Sequence, residues 1–433
     1  MHNPPYFTDD TIVFGLLMLL IGLVFYTSSL EGALWKKFYS IVPALLLCYL
    51  LPAIFSSLHF IAPEWTELNE AGEEIKKSSQ VYFVSSRYLL PASLVLMTIS
   101  IDLKALLNLG FKSIIIFLSG TVGIILGGPI AILIVSIVSP ETVGGNDFNA
   151  VWRGLSTLAG SWIGGGANQA AMLEIFKYNQ EKYGAMVLVD IVVANVGMAA
   201  LLYGIGKKEA INKWLKADNS SIQDLQDKVS TYQESVKRNP TLTDYMVILA
   251  IAFGSVGIAH WGSQALASFF SKNFEIVNDP LSFASTFGGT FFWMITIATL
   301  LGILLSLTKL KTYEGAGASK IGSVFIYILV ASIGMKMDLG SVLENPGLIV
   351  VGIIWMLIHF IIIFAVAKLI KAPYFFIAVG SQANVGGAAS APVVAAAFHP
   401  SLASVGVILA IFGYVVGTYG AIACAFLMEK VAP

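Results

Sequence analysis

The chain has 433 residues, of which 57% are hydrophobic and only 12% are charged. Soluble domains carry about 25% charged residues, so this composition excludes an ordinary water-soluble protein. The net charge of −1 gives no indication of nucleic acid as a partner. Cys48 and Cys424 lie inside apolar runs and lack the spacing of a disulfide or metal pair. The chain is therefore expected to be an integral membrane protein.

Twelve hydrophobic segments follow one another along the chain, and several reach the roughly 18 apolar residues that span a bilayer. They are 11–29, 38–60, 81–101, 110–138, 152–178, 184–204, 242–270, 284–307, 319–336, 345–369, 373–398 and 402–427. The N-terminus lacks the basic stretch of a signal peptide, so the first segment is expected to remain as a helix. The acidic stretch 63–77 is expected to be an aqueous loop.

The segments fall into two halves of six around a charged stretch. We expect a first membrane repeat at 1–204, a polar aqueous linker at 205–241 and a second membrane repeat at 242–433. "TISIDLKALLNLG" (98–110) recurs as "GMKMDLGSVLENPG" (334–347), and "GSWIGGGANQAAM" (160–172) recurs as "GSQANVGGAASAPV" (380–393). Internal repeats with glycine-interrupted segments at corresponding positions indicate the binding site of a secondary transporter.

Two topologies are compatible with these segments. If both glycine-broken segments cross the membrane, there are twelve crossings, and Lys and Arg divide 17 to 8 in favour of the side with the termini. If both re-enter, there are ten crossings, and the division is 16 to 9 in favour of the side with the 205–241 linker. The positive-inside rule does not choose between them. Inverted repeats need an odd number of crossings each, which favours five helices and one hairpin per repeat.

The sequence therefore predicts an all-α polytopic membrane protein of two inverted repeats, with 10–12 membrane segments and glycine-broken crossover or re-entrant helices.

The two glycine runs are the candidate functional site. Glycine runs leave backbone groups unpaired, and such backbone survives at membrane depth only inside protein or beside a water-filled cavity. Freed amides at a half-helix N-terminus attract anions, and freed carbonyls coordinate cations. The alternative is close helix packing, which also favours small residues. The candidate binding residues at the breaks are Ser161, Gly164, Gly165, Gly166, Asn168, Gln169, Gln382, Asn384, Gly386, Gly387 and Ser390.

Asp190 is the second feature of interest. It lies in "MVLVDIVVANVGM" (186–198) with no charged residue within a turn, and an ionisable residue inside a membrane helix is a functional hypothesis by default. It could hold Na⁺ or carry a proton, and the alternative is a carboxylate in the headgroup region. Asn195 lies five positions on, offset by roughly 140° on a helix.

Other polar residues give weaker signals. Arg87 could meet a substrate carboxylate or extend to the membrane interface. Asp102 and Asp338 are expected to cap short helices. The histidines have no ligand spacing, and no catalytic motif such as GxSxG or HExxH is present. The chain is therefore not expected to be an enzyme, although a hydrolase built on Ser161 is the alternative from another class.

"LVLMTISIDLKALL", "LVASIGMKMDLGSVL" and the two broken segments together resemble the cation:proton antiporter/anion transporter superfamily, which includes the bile acid:sodium symporters. Within it, the chain resembles the YjcL-like family of uncharacterised bacterial membrane proteins. The resemblance implies a scaffold, a mobile core of inverted repeats, and sodium coordination near the breaks. Residue by residue, it points to Ser161, Asn168, Gln169, Asp190, Ser381, Gln382 and Asn384. Of these, Asn168, Asp190 and Gln382 are the candidate sodium ligands.

The expected function is sodium-coupled secondary transport of a small organic anion, amino acid derivative or short peptide across a bacterial inner membrane. A cation/proton antiporter is the alternative. The expected partners are the small-molecule substrate and the lipid bilayer, with no cofactor other than the coupling ion. The oligomeric state is left open, with a homodimer as one option.

One geometric expectation follows from the polar backbone at the breaks. Because lipid cannot satisfy it, Gly164–Gly166 and Gly386–Gly387 should face one hydrated pocket. Asn168 and Asn384 should line that pocket, close to Asp190.

Overall fold

The structure, a computed structural model, describes residues 4–42, 44–68, 74–99, 107, 109–218, 239–279, 283–337, 345–399 and 402–433. Nearly all of the regular structure is helical, which confirms the predicted all-α polytopic membrane fold. The helices of the first half are α1 (Asp10–Ser28), α2 (Ala33–Ile41), α3 (Ala44–Ser57), α4 (Val81–Ile99), α5 (Phe111–Val138), α6 (Pro140–Val143), α7 (Val151–Ile175), α8 (Tyr183–Ile205) and α9 (Lys208–Leu215). The helices of the second half are α10 (Leu242–Asn273), α11 (Thr290–Ser306), α12 (Ala318–Gly334), α13 (Gly347–Leu369), α14 (Tyr374–Val385), α15 (Gly387–Phe398) and α16 (Ala403–Val431).

Short elements join these helices. The 3₁₀ turns are Asp147–Asn149, Glu275–Asn278, Phe283–Gly288 and Lys309–Ala316. The acidic stretch predicted to be a plain aqueous loop instead contains a two-stranded antiparallel hairpin, β1 (Glu64–Leu68) and β2 (Glu74–Ser78). Trp65, Thr66 and Ile75 favour extended backbone, and every residue of β2 is exposed. Strand β2 therefore lies at the surface, whereas Trp65 of β1 is only 7% exposed.

In the described part of the chain, seven to nine segments are long and apolar enough to cross a membrane. Seven helices are long and apolar enough to cross: α1, α4, α5, α8, α10, α13 and the Val405–Val431 part of α16. Two bent helix pairs, containing α3 and α11, pass the same test, and α12 is a shorter apolar helix of 17 residues. Because a crossing needs roughly 17 to 25 residues, α12 is at the short end of this range.

The ends of these helices meet at two opposite faces. We call them the terminal face, which carries both chain termini, and the linker face, which carries α9 at the beginning of the polar linker. At the terminal face, Asp10 at the start of α1 accepts a hydrogen bond of 2.6 Å from Ser79, just before α4. On the same face, Asn345 before α13 donates to Thr142 O after α5 at 3.0 Å. At the linker face, Lys112 in α5 donates to Lys371 O after α13 at 3.4 Å.

The broken segment α7 is a re-entrant hairpin. The backbone N–H of Asn179, after α7, donates to Phe148 O, before α7, at 2.9 Å. Arg153 in its first turn donates to Phe176 O at its end, also at 2.9 Å. The two ends of α7 therefore lie side by side. The N–H of Val151 donates to Gly144 O, just after α6, at 3.0 Å, so both ends lie at the terminal face, and we call this helix hairpin 1.

The second broken segment, α14 and α15, enters from the opposite face. The ring of Phe375 at its start lies 5.3 Å from the ring of Phe398 at its end. The N–H of Tyr374, the first residue of α14, donates to Asn212 Oδ1 in α9 at 2.8 Å. Both ends of this segment, which we call hairpin 2, therefore lie at the linker face.

Counting α12 as a crossing gives each half five crossings and one hairpin in the same order, as in the ten-crossing version of the predicted inverted repeats. The two ends of each broken segment lie side by side, so the twelve-crossing version, in which both segments span the membrane, does not fit this structure. Helix α9 occupies the beginning of the predicted linker, whereas Asp102 and Asp338 lie outside the described residues.

The helices form two bodies. The core consists of α5, α7, α8 and α13–α16, and the scaffold consists of α1–α4 and α10–α12. Within the core, α5 and α13 pack closely, because Gly127 in α5 lies against the ring of Trp355 in α13. Trp355 also donates its indole N–H to Ile124 O at 2.8 Å. Hairpin 1 packs against α16 through Gly164 and Gly417.

Candidate functional site

Hairpin 1 reverses direction at Gly165. Its φ of 72° and ψ of −172° belong to a region that only glycine occupies readily. Beyond this point the chain folds back so tightly that Gly160 lies against the backbone of Asn168. The glycine run therefore forms the tip of the hairpin and exposes its backbone inside the protein.

Asp190 in α8 holds the two arms of hairpin 1 together. Before the tip, Ser161 Oγ donates to Asp190 Oδ2 and Trp162 Nε1 donates to Asp190 Oδ1, both at 2.7 Å. After the tip, Gln169 Nε2 donates to Asp190 Oδ2 at 3.0 Å. Asp190 is only 6% exposed, so these three donors replace the water that a carboxylate needs.

Hairpin 2 breaks at Gly386 and Gly387. Ser390 Oγ donates to Gln382 Oε1 at 2.9 Å across this break. A side chain at Gly386 would collide with the Ser390 hydroxyl, and Gly387 has a φ of 56°. Glycine at both positions therefore allows the chain to turn while one polar contact spans the turn.

The tips of both hairpins line one cavity of about 430 Å³, as expected from their polar backbone. This volume lies within the range of small-molecule sites. The scaffold contributes Leu45, Met97 and Ser323, which belong to the ends of α3, α4 and α12 nearest the linker face. The predicted residues that line this central cavity are Ser161, Gly165, Gly166, Asp190, Asn195, Gln382, Gly386, Gly387 and Ser390.

Asn168 and Asn384 do not line the central cavity, which corrects that expectation. Asn168 donates to Gly164 O at 2.9 Å and to Tyr414 O at 3.3 Å, and its Oδ1 accepts from Thr418 at 2.5 Å. Its amide is therefore directed at α16, and the residue is 0% exposed.

Asn384 makes the matching set of contacts in hairpin 2. It donates to Gly380 O and Phe117 O, both at 2.9 Å, and accepts from Thr121 at 2.7 Å. Each asparagine thus bonds the carbonyl four residues before it, a neighbouring helix carbonyl and a hydroxyl one turn further along that helix. Both amides join a hairpin to a helix of the other half.

Three more of the predicted residues lie away from the cavity lining. Gly164 packs against Gly417 of α16. Gln169 reaches the site only through Asp190. Ser381 lies 2.8 Å from His359 Nε2, and His359 Nδ1 lies 2.9 Å from Gly120 O. Because Ser381 and His359 are both 0% exposed, this pair joins α5, α13 and hairpin 2 rather than forming an accessible nucleophile.

Arg87 neither reaches the central cavity nor extends freely to the interface. Its guanidinium forms a 3.1 Å ion pair with Glu174 at the end of hairpin 1. Asn195 lines the cavity, although its amide N–H₂ donates to Ile191 O at 2.7 Å.

Sequence reasoning missed Trp162, Tyr414 and His359. Trp162 adjoins the predicted Ser161, and its indole N–H is the donor that marks it as a partner for a buried carboxylate. Tyr414 lines the central cavity and accepts from Asn168, but its own segment carries no signal. His359 lacks ligand spacing, since its contacts arise from helices distant in sequence.

The chain matches a protein family and is similar to a bacterial membrane protein. A family model described as "Protein of unknown function (DUF819)" matches residues 15–431. The chain is also similar to the "Uncharacterized membrane protein YjcL" of Bacillus subtilis (strain 168), with 24% identity over 359 residues. The match covers 79% of this chain and 82% of the relative.

Proposed function

We propose that this chain, which belongs to the DUF819 family of proteins of unknown function, is a cation-coupled secondary transporter of the bacterial cytoplasmic membrane. The observation that carries this proposal is the central cavity, where two re-entrant hairpins from opposite faces meet beside one buried carboxylate. Broken segments that meet between inverted repeats are the usual binding site of secondary transporters. A protein without transported cargo has no evident need for two such hairpins.

Asp190 is the proposed site of the coupling ion. A carboxylate offers about four acceptor positions, and three are occupied by Ser161, Trp162 and Gln169. The carboxylate lines the cavity, so a cation there meets a formal negative charge and one remaining lone pair. Gln382 Oε1 and the freed carbonyls of the tips supply further oxygen ligands. Sodium fits this oxygen set. In a cation/proton antiporter, Asp190 would instead bind and release a proton.

The charge of the cavity bears on the cargo. Among the described lining residues, Asp190 is the only carboxylate, and none is Lys, Arg or His. The half-helix N-termini at Gly166 and Gly387 favour negative groups but supply only partial charges. Of the cargo classes considered from the sequence, an amino acid derivative or short peptide therefore fits better than a simple organic anion.

Transport by this design requires the cavity to reach each face in turn. We infer that the core, which carries both tips, moves against the scaffold, because the cavity is lined by both bodies. The hydrogen bonds of Asn168 and Asn384 lie wholly within the core, so they are compatible with its moving as one unit.

Uptake into proteoliposomes tests the proposal. Labelled amino acids, dipeptides and organic anions are supplied with an inward sodium gradient, an equal potassium gradient or a proton gradient. Sodium-driven uptake that disappears in Asp190→Asn is expected. The matched control is Asp218→Asn, which removes an exposed carboxylate paired with Lys112. If no cargo responds to any cation gradient, or Asp190→Asn transports normally, the proposal fails.

A membrane-embedded hydrolase built on Ser161 is the alternative from another class. Its hydroxyl is bonded to Asp190, and a serine nucleophile needs both a base and an oxyanion hole within reach. Labelling with a fluorophosphonate decides: we expect no labelling, whereas labelling that is lost in Ser161→Ala would favour the enzyme.

A further inference from the structure

A polar cluster joins the scaffold to the end of hairpin 1 near the terminal face. Arg87 Nη2 lies 3.1 Å from Glu174 Oε2, and the Tyr82 hydroxyl donates to Glu174 Oε1. Gln180, which follows hairpin 1, donates to Tyr82 Oη at 2.5 Å and to Glu174 Oε1 at 3.1 Å. Arg87 and Tyr82 belong to scaffold helix α4, whereas Glu174 and Gln180 belong to the core. These contacts therefore cross the boundary between the two bodies.

The scaffold holds Arg87 in an irregular turn. Residues Ser85–Leu89 form one π-helical turn within α4, and such turns are frequent at functional sites. The carbonyl of Arg87 accepts a hydrogen bond of 2.9 Å from His260 Nε2 of α10. Its guanidinium also lies 4.4 Å from the ring centre of Phe291 in α11. Arg87 is thus positioned by three scaffold helices towards the core.

This cluster lies between two cavities. On its terminal side is an outer cavity of about 810 Å³, whose lining includes Glu174, Gln180 and Lys336. On its other side is the central cavity, with Asp190. Hairpin 1 connects the two cavities, because Glu174 lies near its terminal-face end, whereas Gly165 and Gly166 at its tip line the central cavity. Tyr183 is fully buried at the start of α8. The ring of Tyr49 from scaffold helix α3 lies 6.1 Å from that of Tyr183.

The cluster therefore separates the central cavity from the outer cavity on the terminal side. Towards the linker face, the central cavity is lined by scaffold residues. We propose that the Arg87–Glu174 cluster, together with Tyr82 and Gln180, is the terminal-face gate of the transporter, shown here closed. The inference rests on the proposed transport function. When the core moves, the Arg87–Glu174 ion pair separates and the central cavity becomes continuous with the outer cavity.

An ion pair of this kind suits a gate. Arg87 keeps 31% of its side chain exposed, so separating it from Glu174 returns a partly hydrated cation to water. Glu174 keeps only 9% of its side chain exposed, so its carboxylate needs another partner when the pair separates. Gln180 belongs to the core and moves with Glu174, so its hydrogen bond of 3.1 Å to Oε1 can persist, whereas the Tyr82 hydroxyl donates only while the gate is closed.

Cysteine accessibility tests the gate without any knowledge of the cargo. Cys48 and Cys424 are replaced by alanine, and Ala194→Cys places one thiol in the lining of the central cavity. A charged, membrane-impermeant maleimide is applied to vesicles of both orientations. In the parent we expect labelling from the linker face and little from the terminal face.

Arg87→Gln and Glu174→Gln should each raise the rate of labelling from the terminal face by at least about two-fold, since even ion pairs with more exposure than this one contribute measurably. The charge-swapped pair Arg87→Glu with Glu174→Arg should restore part of the protection. Tyr82→Phe, which keeps the ring, should give a smaller increase and serves if the charge variants do not fold. Lys112→Gln breaks an exposed ion pair at the linker face and is the matched control.

Unchanged labelling from the terminal face in folded Arg87→Gln, Glu174→Gln and Tyr82→Phe would overturn the gate. An equal rise in Lys112→Gln would do the same, because the effect would then not be specific. Failure of the transport proposal alone would look different. Labelling from the terminal face would still increase in Arg87→Gln, whereas no cargo would be taken up in response to a cation gradient.

Discussion

Replacing Asn168 with alanine should destabilise the fold and leave the response to sodium intact. The amide makes three hydrogen bonds, to Gly164 O, Tyr414 O and Thr418 Oγ1, and it is 0% exposed. Side-chain hydrogen bonds between membrane helices average about 0.6 kcal/mol each, so their joint loss should lower the free energy of unfolding by about 2 kcal/mol.

The assay is equilibrium unfolding in mixed micelles with an increasing fraction of denaturing detergent, carried out in sodium and in potassium. A double-mutant cycle with Thr418→Val isolates one contact, and the expected coupling is about 0.6 kcal/mol and at most about 1.7 kcal/mol. Asn384→Ala is the matched variant in hairpin 2 and should behave alike. If Asn168→Ala unfolds like the parent but loses its sodium response, the residue is an ion ligand and the structural reasoning is wrong.

Three other substitutions test separate features. Gly165→Ala should lower the free energy of unfolding by about 1–3 kcal/mol, because the φ of Gly165 is 72°. The control Gly166→Ala should be tolerated, and equal melting temperatures of the two variants would contradict this. Gly127→Ala would place a methyl group 2.4 Å from Trp355 Cδ1 and should lower the free energy of unfolding by about 1–3 kcal/mol. In the control Gly257→Ala, the new methyl group meets nothing within 4 Å, so similar thermal stability of the two variants would refute the predicted overpacking. Trp162→Phe removes a hydrogen bond to a carboxylate and should lower the free energy of unfolding by about 1.5–3 kcal/mol. Trp293→Phe should have a smaller effect, because the Trp293 indole donates to the neutral backbone oxygen of Phe287. The reverse order in detergent unfolding would count against a charged Asp190.

The sequence predicts the helices and the two breaks well, since both depend on local patterns. Runs of apolar residues mark the crossings. Gly165 and Gly387 mark the tips because few other residues suit their positive φ, and Gly386 does so because a side chain there would collide with Ser390. Asp190 is recognisable as a site because a lone carboxylate in an apolar helix requires partners. Charge counts did not choose between crossing and re-entry, and only the odd number of crossings that an inverted repeat needs favoured re-entry.

The contacts of the polar side chains could not be predicted in the same way. Asn168 and Gln169 are neighbours in sequence, yet one reaches α16 and the other reaches Asp190. Which of them faces the cavity depends on the packing angle of hairpin 1, set by Gly164 against Gly417 far along the chain. The partner of Arg87 was hidden for the same reason, because Glu174 lies 87 positions away in the other body.

The two asparagine anchors impose an order on biosynthesis. Hairpin 1 bonds to Tyr414 and Thr418, which lie 246 and 250 residues after Asn168. When the ribosome releases the first half into the membrane, the helix that receives this hairpin has not yet been made. The contacts of Asn168 with α16 can therefore form only after α16 has been made. Hairpin 2 finds α5 already in place when it is made, so both hairpins reach their anchoring helices only late in synthesis, although hairpin 1 is made much earlier.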